Sequence, residues 1–392
     1  MFEPLGGIRI LDCTRLLPYE YCTMLMADLG AEVLKIEVPK VGDYGRWGDE
    51  SYSYESVLFV MANRNKKSME INLKHETGKE IFKKLARSYD VIVESFRPGV
   101  MGRLGLGYEE IRKINPGIIY CSASGFGQTG PYKDKAGHDI NYLGIAGILG
   151  WTGEFTGRPV IPGIPFGDMV GGGIFPIVGI LAALLGREKT GEGQYIDIAQ
   201  TDVLTSLNLR NISEVLARKK GQKARPVNLR GYSLCYNTYR TLDGKFIALG
   251  AIEPKFWKNF CLAVGREDWI PNNTIPYEEG GKETEELKEL FASKKQKEWV
   301  EILENVDTCF TPILEPDETL EDPHLKERDI VTTMDDPDRG ENIQIGFPGQ
   351  FSDKLNFKRS PAPLLGAHTN EVLTGLGYTS SQIEALKSDG VI

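Results

Sequence analysis

Apolar and polar positions in the first third of the chain follow two alternating periods. "IRILDC" (8–13) is a short apolar run that reads as a buried strand, and "YCTMLMADLG" (21–30) has helical spacing up to a glycine that suits a helix end. "AEVLKIEVP" (31–39) is a second strand, stopped by its proline, so the first 39 residues form a β-α-β unit, the hallmark of parallel sheets. The pattern repeats. "HETGKEIFKKLARSYD" (75–90) is an amphipathic helix and "VIVESF" (91–96) a strand, then "YEEIRKINPG" and "IIYCSASGFG" (108–127) again give helix and strand. The architecture these segments predict is Rossmann-like, although no G-x-G-x-x-G and no P-loop opens the first helix, where the turn reads "RLLPYEYC".

The most apolar run, "GGGIFPIVGILAALLG" (171–186), is short and glycine-rich for a membrane span. It predicts a buried core helix with Pro176 in its first turn, leading into the strand "YIDIA" and a long helical stretch over 200–221. The texture then changes. "RGYSLCYNTYRTLDGKFIALGA" (230–251) alternates around a "DG" turn as a hairpin does, and two further amphipathic segments follow. These patterns predict an α/β protein. A large parallel-sheet domain spans 1–205 and 335–392, a smaller α+β domain spans 225–330, and linkers run over 206–224 and 331–334. With 392 residues, more than one core is expected.

Composition narrows the function. Lys and Arg number 46 against 55 Asp and Glu, a net charge of −9. A nucleic-acid footprint is therefore not expected, but one basic pocket for a small polyanion is compatible. The 6 cysteines are scattered with no C-x-x-C pair, which argues against a zinc site or disulfide framework and fits a reducing cytoplasm. "MFEPLGGIRI" lacks the basic and apolar regions of a signal peptide, so neither export nor a membrane anchor is expected.

Three acid–base candidates stand out. His138 heads "GHDINYLGIAG", Asp168 sits in "PFGDMVGGGIF", and Glu253 sits in "GAIEPKF". Histidine exchanges protons near neutral pH. Asp168 precedes three glycines whose bare backbone N–H groups could face an anion at a helix start. Each has a plainer reading: His138 as a structural histidine, and Asp168 and Glu253 as helix caps. Basic candidates for phosphate are Arg64, Lys66 and Lys67 in "NRNKKS", and Arg97 and Arg103 in "FRPGVMGRLGLG", a loop after a strand. For any single lysine, solvated surface charge is the plainer reading.

Taken in order, "PLGGIRILD", "ADLGAEVLKIE", "NRNKKS", "FRPGVMGRLGLGYEEI", "NPGIIYCSASGFGQTGP", "GDMVGGG", "GEGQYIDIA" and "TPILEPDETLEDPHL" resemble the family III CoA-transferases and racemases along nearly the whole chain. "GHDINY" and "GAIEP" resemble its racemase branch in particular. The resemblance implies an enzyme that inverts the α-carbon of 2-methyl-branched acyl-CoA thioesters through an enolate. His138 and Asp168 would be the two bases, with Glu253 beside the histidine. The alternative it implies is a CoA-transferase, with Asp168 as the nucleophile of an acyl-enzyme anhydride. It places CoA contacts on Ile71, Asn72, Leu73 and Lys74, on Ser95, Phe96 and Arg97, on Arg103, and on Gly137, Asp139, Ile140, Asn141 and Tyr142. It further implies an interlocked homodimer and no separate cofactor, since coenzyme A is part of the substrate. The N–H groups of Gly171 to Gly173 are candidates to hold the enolate oxygen. Two segments depart from the pattern. Val38 stands where racemases carry a basic residue, with Lys35 or Lys40 as replacements, and "PYEY" replaces "PGP" after the first strand, altering the pocket near Pro18 to Tyr21.

Overall fold

The computed structural model describes residues 2–47, 56–153, 158–222, 229–278, 280–353, 355 and 360–392. Two compact units emerge. The first comprises 1–148, 162–208 and 324–392, and the second 149–161 and 209–323. The expected boundary at 224–225 lies outside the described residues.

The first unit is built on six parallel strands: β1 (Arg9–Cys13), β2 (Glu32–Glu37), β3 (Lys66–Glu70), β4 (Val91–Glu94), β5 (Ile119–Ser124) and β6 (Tyr195–Ala199). Their spatial order is β3-β2-β1-β4-β5-β6, so the direction of winding reverses between β1 and β4. Alternate residues face opposite layers. Ile10, Val33, Val93 and Ile119 pack with the helices Tyr19–Asp28 and Phe175–Thr190, through Met26, Ile177, Ile180 and Leu184. Leu11, Leu34, Ile92 and Tyr120 pack on the other face with Ile81, Phe82 and Leu85 of the helix Glu76–Ala86. Both faces are covered at the middle of the sheet, which is why β1 and β4 read as apolar runs rather than as alternating ones. Phe82 is fully buried, and its truncation to alanine would cost about 3–5 kcal/mol. The C-terminal segment closes this layer with Leu373, Ile383 and Leu386, and the Asn72 N–H donates to the Val391 carbonyl.

The run 167–190 behaves differently from the expected core helix. A π-helix, Gly167–Ile174, continues into the α-helix Phe175–Thr190 with Pro176 in its first turn. By length and composition Gly167–Thr190 could cross a membrane, yet Ile177, Ile180 and Leu184 pack on the sheet. Ile174, Val178 and Leu185 are exposed, so the helix is apolar all round but buried on one side only. The helical stretch over 200–221 breaks at Asn208 into Gln200–Leu207 and Leu209–Lys219.

In the second unit, β7 (Tyr236–Arg240), β8 (Phe246–Gly250) and β9 (Phe310–Ile313) form an antiparallel sheet. Its core gathers Trp257, Phe260, Phe291 and Trp299 from three flanking helices. Residues 331–334, read as a linker, belong instead to a hairpin of β10 (Val331–Asp336) and β11 (Gly340–Ile345). These strands are rich in Asp, Thr and Asn, which leaves little hydrophobic alternation to read.

Candidate active site

The site lies at the C-terminal ends of the parallel strands, near the reversal between β1 and β4, where open α/β sheets bind ligands. Two cavities meet at Phe96. The larger, about 700 Å³, is lined by Arg15, Lys40, Ile71 to Lys74 and the C-terminal Ile392. The smaller, about 290 Å³, is lined by Tyr19, Ser95 to Arg97, Gly137, His138 and Tyr142. Cations dominate the charge of the larger one, as a phosphate-bearing ligand requires.

His138 stands at the head of the helix Asp139–Ile145. Its backbone N–H donates to Asn141 Oδ1 at 3.0 Å, which fixes the helix start, while its imidazole is left exposed on the cavity. Tyr142, one turn on, lays its ring over Gly125 and Gly137. A Cβ at either glycine would sit 2.2 Å or 2.7 Å from that ring, so neither position admits a side chain. The Tyr142 hydroxyl donates to the Gly137 carbonyl.

Asp168 is half-buried near the start of the π-helix, and the cap position belongs to Phe166. The Asp168 N–H donates to Asp139 Oδ1 at 3.0 Å, which ties the π-helix to the His138 helix. Burial first, and then the Asp139 carboxylate, push the Asp168 carboxyl up to about 6. A hydrogen bond from Gln200 and the nearby imidazole of His138 act in the opposite direction. His138 and Asp168 therefore lie within electrostatic reach of each other. Glu253 is in the second unit, exposed at the head of the helix Pro254–Ala263, with no side-chain capping bond.

The three glycines do not serve as expected. In a π-helix each N–H reaches back five residues, so those of Gly171 to Gly173 are consumed within it. Their Cα faces are also covered. A Cβ at Gly172 would sit 2.4 Å from Pro18, and one at Gly171 would sit 3.0 Å from Gln200. These glycines permit close packing and present no anion hole.

Of the expected CoA contacts, Ile71, Asn72, Leu73, Lys74 and Phe96 line the larger cavity, and Ser95, Phe96, Arg97, Gly137 and Tyr142 line the smaller. Arg103, Asp139, Ile140 and Asn141 line neither. Arg103 is exposed and folds back on Gly99, and Asp139 and Asn141 hold backbone groups. Lys40 lines the larger cavity, but Lys35 is fully buried against Asp43 at 2.8 Å and Glu20 at 3.2 Å and cannot replace the basic residue missing at Val38. Arg64 and Lys66 are likewise not phosphate ligands. They are buried in pairs with Asp28 at 2.5 Å and Asp12 at 3.1 Å, and Lys67 pairs with Glu371 on the surface. The reading of the chain passed over Arg15 and the C-terminus, and took Tyr19 only as part of the altered pocket near Pro18 to Tyr21. Arg15 follows β1, so the same rule that singled out Arg97 reaches it. Its N–H donates to Ser95 Oγ at 3.1 Å, and its guanidinium lies 5.1 Å from the centre of the Phe96 ring. Among the described residues, no group of three or more His, Cys, Asp or Glu side chains is placed to hold a metal.

The fold agrees with what the comparisons find. The model of CoA-transferase family III matches residues 5–369. The chain belongs to that family. Its relatives include the human α-methylacyl-CoA racemase, 34% identical over 99% of this chain and 97% of the racemase. They also include the mouse succinyl-CoA:glutarate CoA-transferase, 36% identical over 100% of this chain and 90% of the transferase. The crystal structure of a CAIB/BAIF family protein from Brucella suis superposes with a TM-score of 0.82 at 28% identity, covering 96% of this chain and 100% of that one. The protein is thus a member of an enzyme family that holds both racemases and CoA-transferases.

Proposed function

We propose that the protein racemises 2-methyl-branched acyl-CoA thioesters by moving the α-proton between His138 and Asp168. The observation that carries this reading is the pairing of the two side chains. An exposed imidazole lies within electrostatic reach of a carboxyl whose proton affinity has been raised toward neutrality by burial. Racemisation needs one group deprotonated while the other holds a proton, and a carboxyl raised toward neutral pH can take either role opposite an imidazole. His138 takes the α-proton of the (S) thioester and Asp168 that of the (R) thioester. In each case the C–H electron pair moves into an enolate, and the opposite group returns a proton. CoA lies along the larger cavity, with Arg15, Lys40 and Lys74 near its phosphates and the thioester toward His138.

The assembly proposed with this activity is a homodimer in the cytoplasm. Glu253 from one subunit would orient His138 of the other, and the exposed Ile174, Val178 and Leu185 would be covered by the second copy. Incubation of each pure 2-methylacyl-CoA enantiomer in heavy water should yield both enantiomers with α-deuterium. Recovery of unexchanged, uninverted substrate would refute the proposal.

The second reading is CoA transfer, with Asp168 as nucleophile. The 36% identity to the mouse succinyl-CoA:glutarate CoA-transferase favours it. It predicts an acyl-enzyme at Asp168 that hydroxylamine cleaves, whereas the racemase reading predicts none.

A further inference from the structure

An enolate needs a hydrogen-bond donor at its oxygen, and most donors around His138 and Asp168 are already committed. The Asp168 N–H is bonded to Asp139, the Tyr142 hydroxyl to the Gly137 carbonyl, and the N–H groups of Gly171 to Gly173 to the π-helix. Tyr19 is different. It lines the same cavity as His138, and its hydroxyl oxygen accepts from Gln200 Nε2 at 3.1 Å. That bond uses the oxygen and leaves the phenolic proton unbonded among the described residues. Gln200 also acts on the Asp168 carboxyl, lowering its affinity for a proton, so one amide lies close to both the base and the phenol. Gly172 packs against this arrangement, where a Cβ would meet the Tyr19 ring at 3.0 Å. Burial, together with Tyr142 and Asp168, raises the affinity of Tyr19 for its proton, so it stays a neutral donor. Tyr19 also belongs to the "PYEY" turn, where the chain departs from the family pattern.

We infer that Tyr19 is a catalytic residue whose hydroxyl donates to the thioester carbonyl oxygen and stabilises the charge that develops there. The inference rests on the proposed reaction for its role in turnover, but a thioester bound here would feel the donor in either reaction. When the base removes the α-proton, the C–H pair forms the C=C bond and the carbonyl π pair moves onto oxygen. Tyr19 keeps its proton throughout and strengthens its hydrogen bond as that oxygen becomes negative. A donor aimed at developing charge is typically worth about 10²–10³-fold in rate.

A rival neutral donor in the cavity is Ser124, whose buried Oγ has no hydrogen-bond partner among the described residues. The test is isotope-edited infrared spectroscopy of a 2-methylacyl-CoA labelled with ¹³C at the carbonyl, bound to the full chain. Wild type and Ser124→Ala should both lower the carbonyl stretch, and Tyr19→Phe should abolish that shift. Tyr19→Phe should also slow α-deuterium uptake by about 10²–10³-fold with little change in KM. Incorporation of 3-fluorotyrosine at position 19, a more acidic phenol of nearly the same shape, should deepen the shift. It serves as the test if the phenylalanine variant does not fold. A shift that survives in Tyr19→Phe, is unmoved by fluorination or is absent in wild type overturns the inference. A shift that responds to Tyr19 with no α-exchange in wild type overturns the racemase reading alone.

Discussion

Two sets of basic residues, all beside strands of one sheet, meet opposite fates. Lys35, Lys66 and Arg64 are buried against Asp43, Glu20, Asp12 and Asp28, while Arg15, Lys40, Lys74 and Arg97 face the cavities. The difference is position along the strand. Arg64 precedes β3, Lys66 opens it and Lys35 lies within β2, whereas the four cavity residues all follow a strand's C-terminal end. In the first set, charge has been used to join the first helix to the sheet. Asp12 is its hub, accepting from Thr14, Thr23 and Lys66. The second set forms no ion pair among the described residues, which leaves these cations to an anionic ligand.

The largest effect expected from breaking this contrast is on stability. Asp12→Asn leaves the Lys66 ammonium buried without its counter-charge and should cost about 3–5 kcal/mol in urea denaturation. Burial alone would raise the Asp12 pKa, but Lys66 and Lys35 outweigh it and lower it to about 2. Its stabilisation is therefore present above the ordinary carboxyl value of 3.8 and is lost as pH falls from there toward 2, a window absent from Asp12→Asn. Asp168 shows the opposite sign. Its folded pKa is raised from 3.8 to about 6, so the folded form loses stability as pH rises from about 4 through 6. Asp168→Asn should remove that decline in pH-dependent melting curves, and a wild-type curve flat over that window would contradict the burial argument.

Smaller effects sharpen the same contrast. Arg15→Ala should raise the KM for acyl-CoA by roughly an order of magnitude and leave the melting temperature unchanged, since charge-assisted hydrogen bonds contribute about 1.5–3 kcal/mol. The smallest effect is expected at Lys67, the half-buried neighbour of Lys66. Its surface pair with Glu371 should contribute under about 1 kcal/mol, and Lys67→Ala should alter neither melting nor KM measurably. Equal destabilisation by Lys66→Met and Lys67→Met would erase the distinction.

Most strands of the parallel sheet could be read from the chain because strands covered on both faces are apolar runs, and the β7–β8 hairpin because of its Asp-Gly turn, whereas β9 and the β10–β11 hairpin were not read as strands. His138 and Asp168 were legible as candidates, since few titratable residues sit among glycine and apolar neighbours. The role of the three glycines was not. An α-helix start would have left their N–H groups free, and the π-helical pairing, in a segment packed on Pro18 and Gln200, consumes them. Arg64 and Lys66 misled because a charge cluster beside a strand reads the same whether its partners are ligands or buried carboxylates 36 to 54 positions away. Tyr19 was noticed only as a change in pocket shape, because its hydrogen bond comes from Gln200, 181 positions along the chain.

The central claim is that two different side chains serve the two faces of one α-carbon. Deuterium uptake by His138→Ala, measured separately with (S)- and (R)-2-methylacyl-CoA in heavy water, tests it most directly. The account predicts that uptake from the (S) substrate falls by about 10²–10⁴-fold, while uptake from the (R) substrate, taken by Asp168, persists. Uptake from the (S) substrate at the wild-type rate would contradict it.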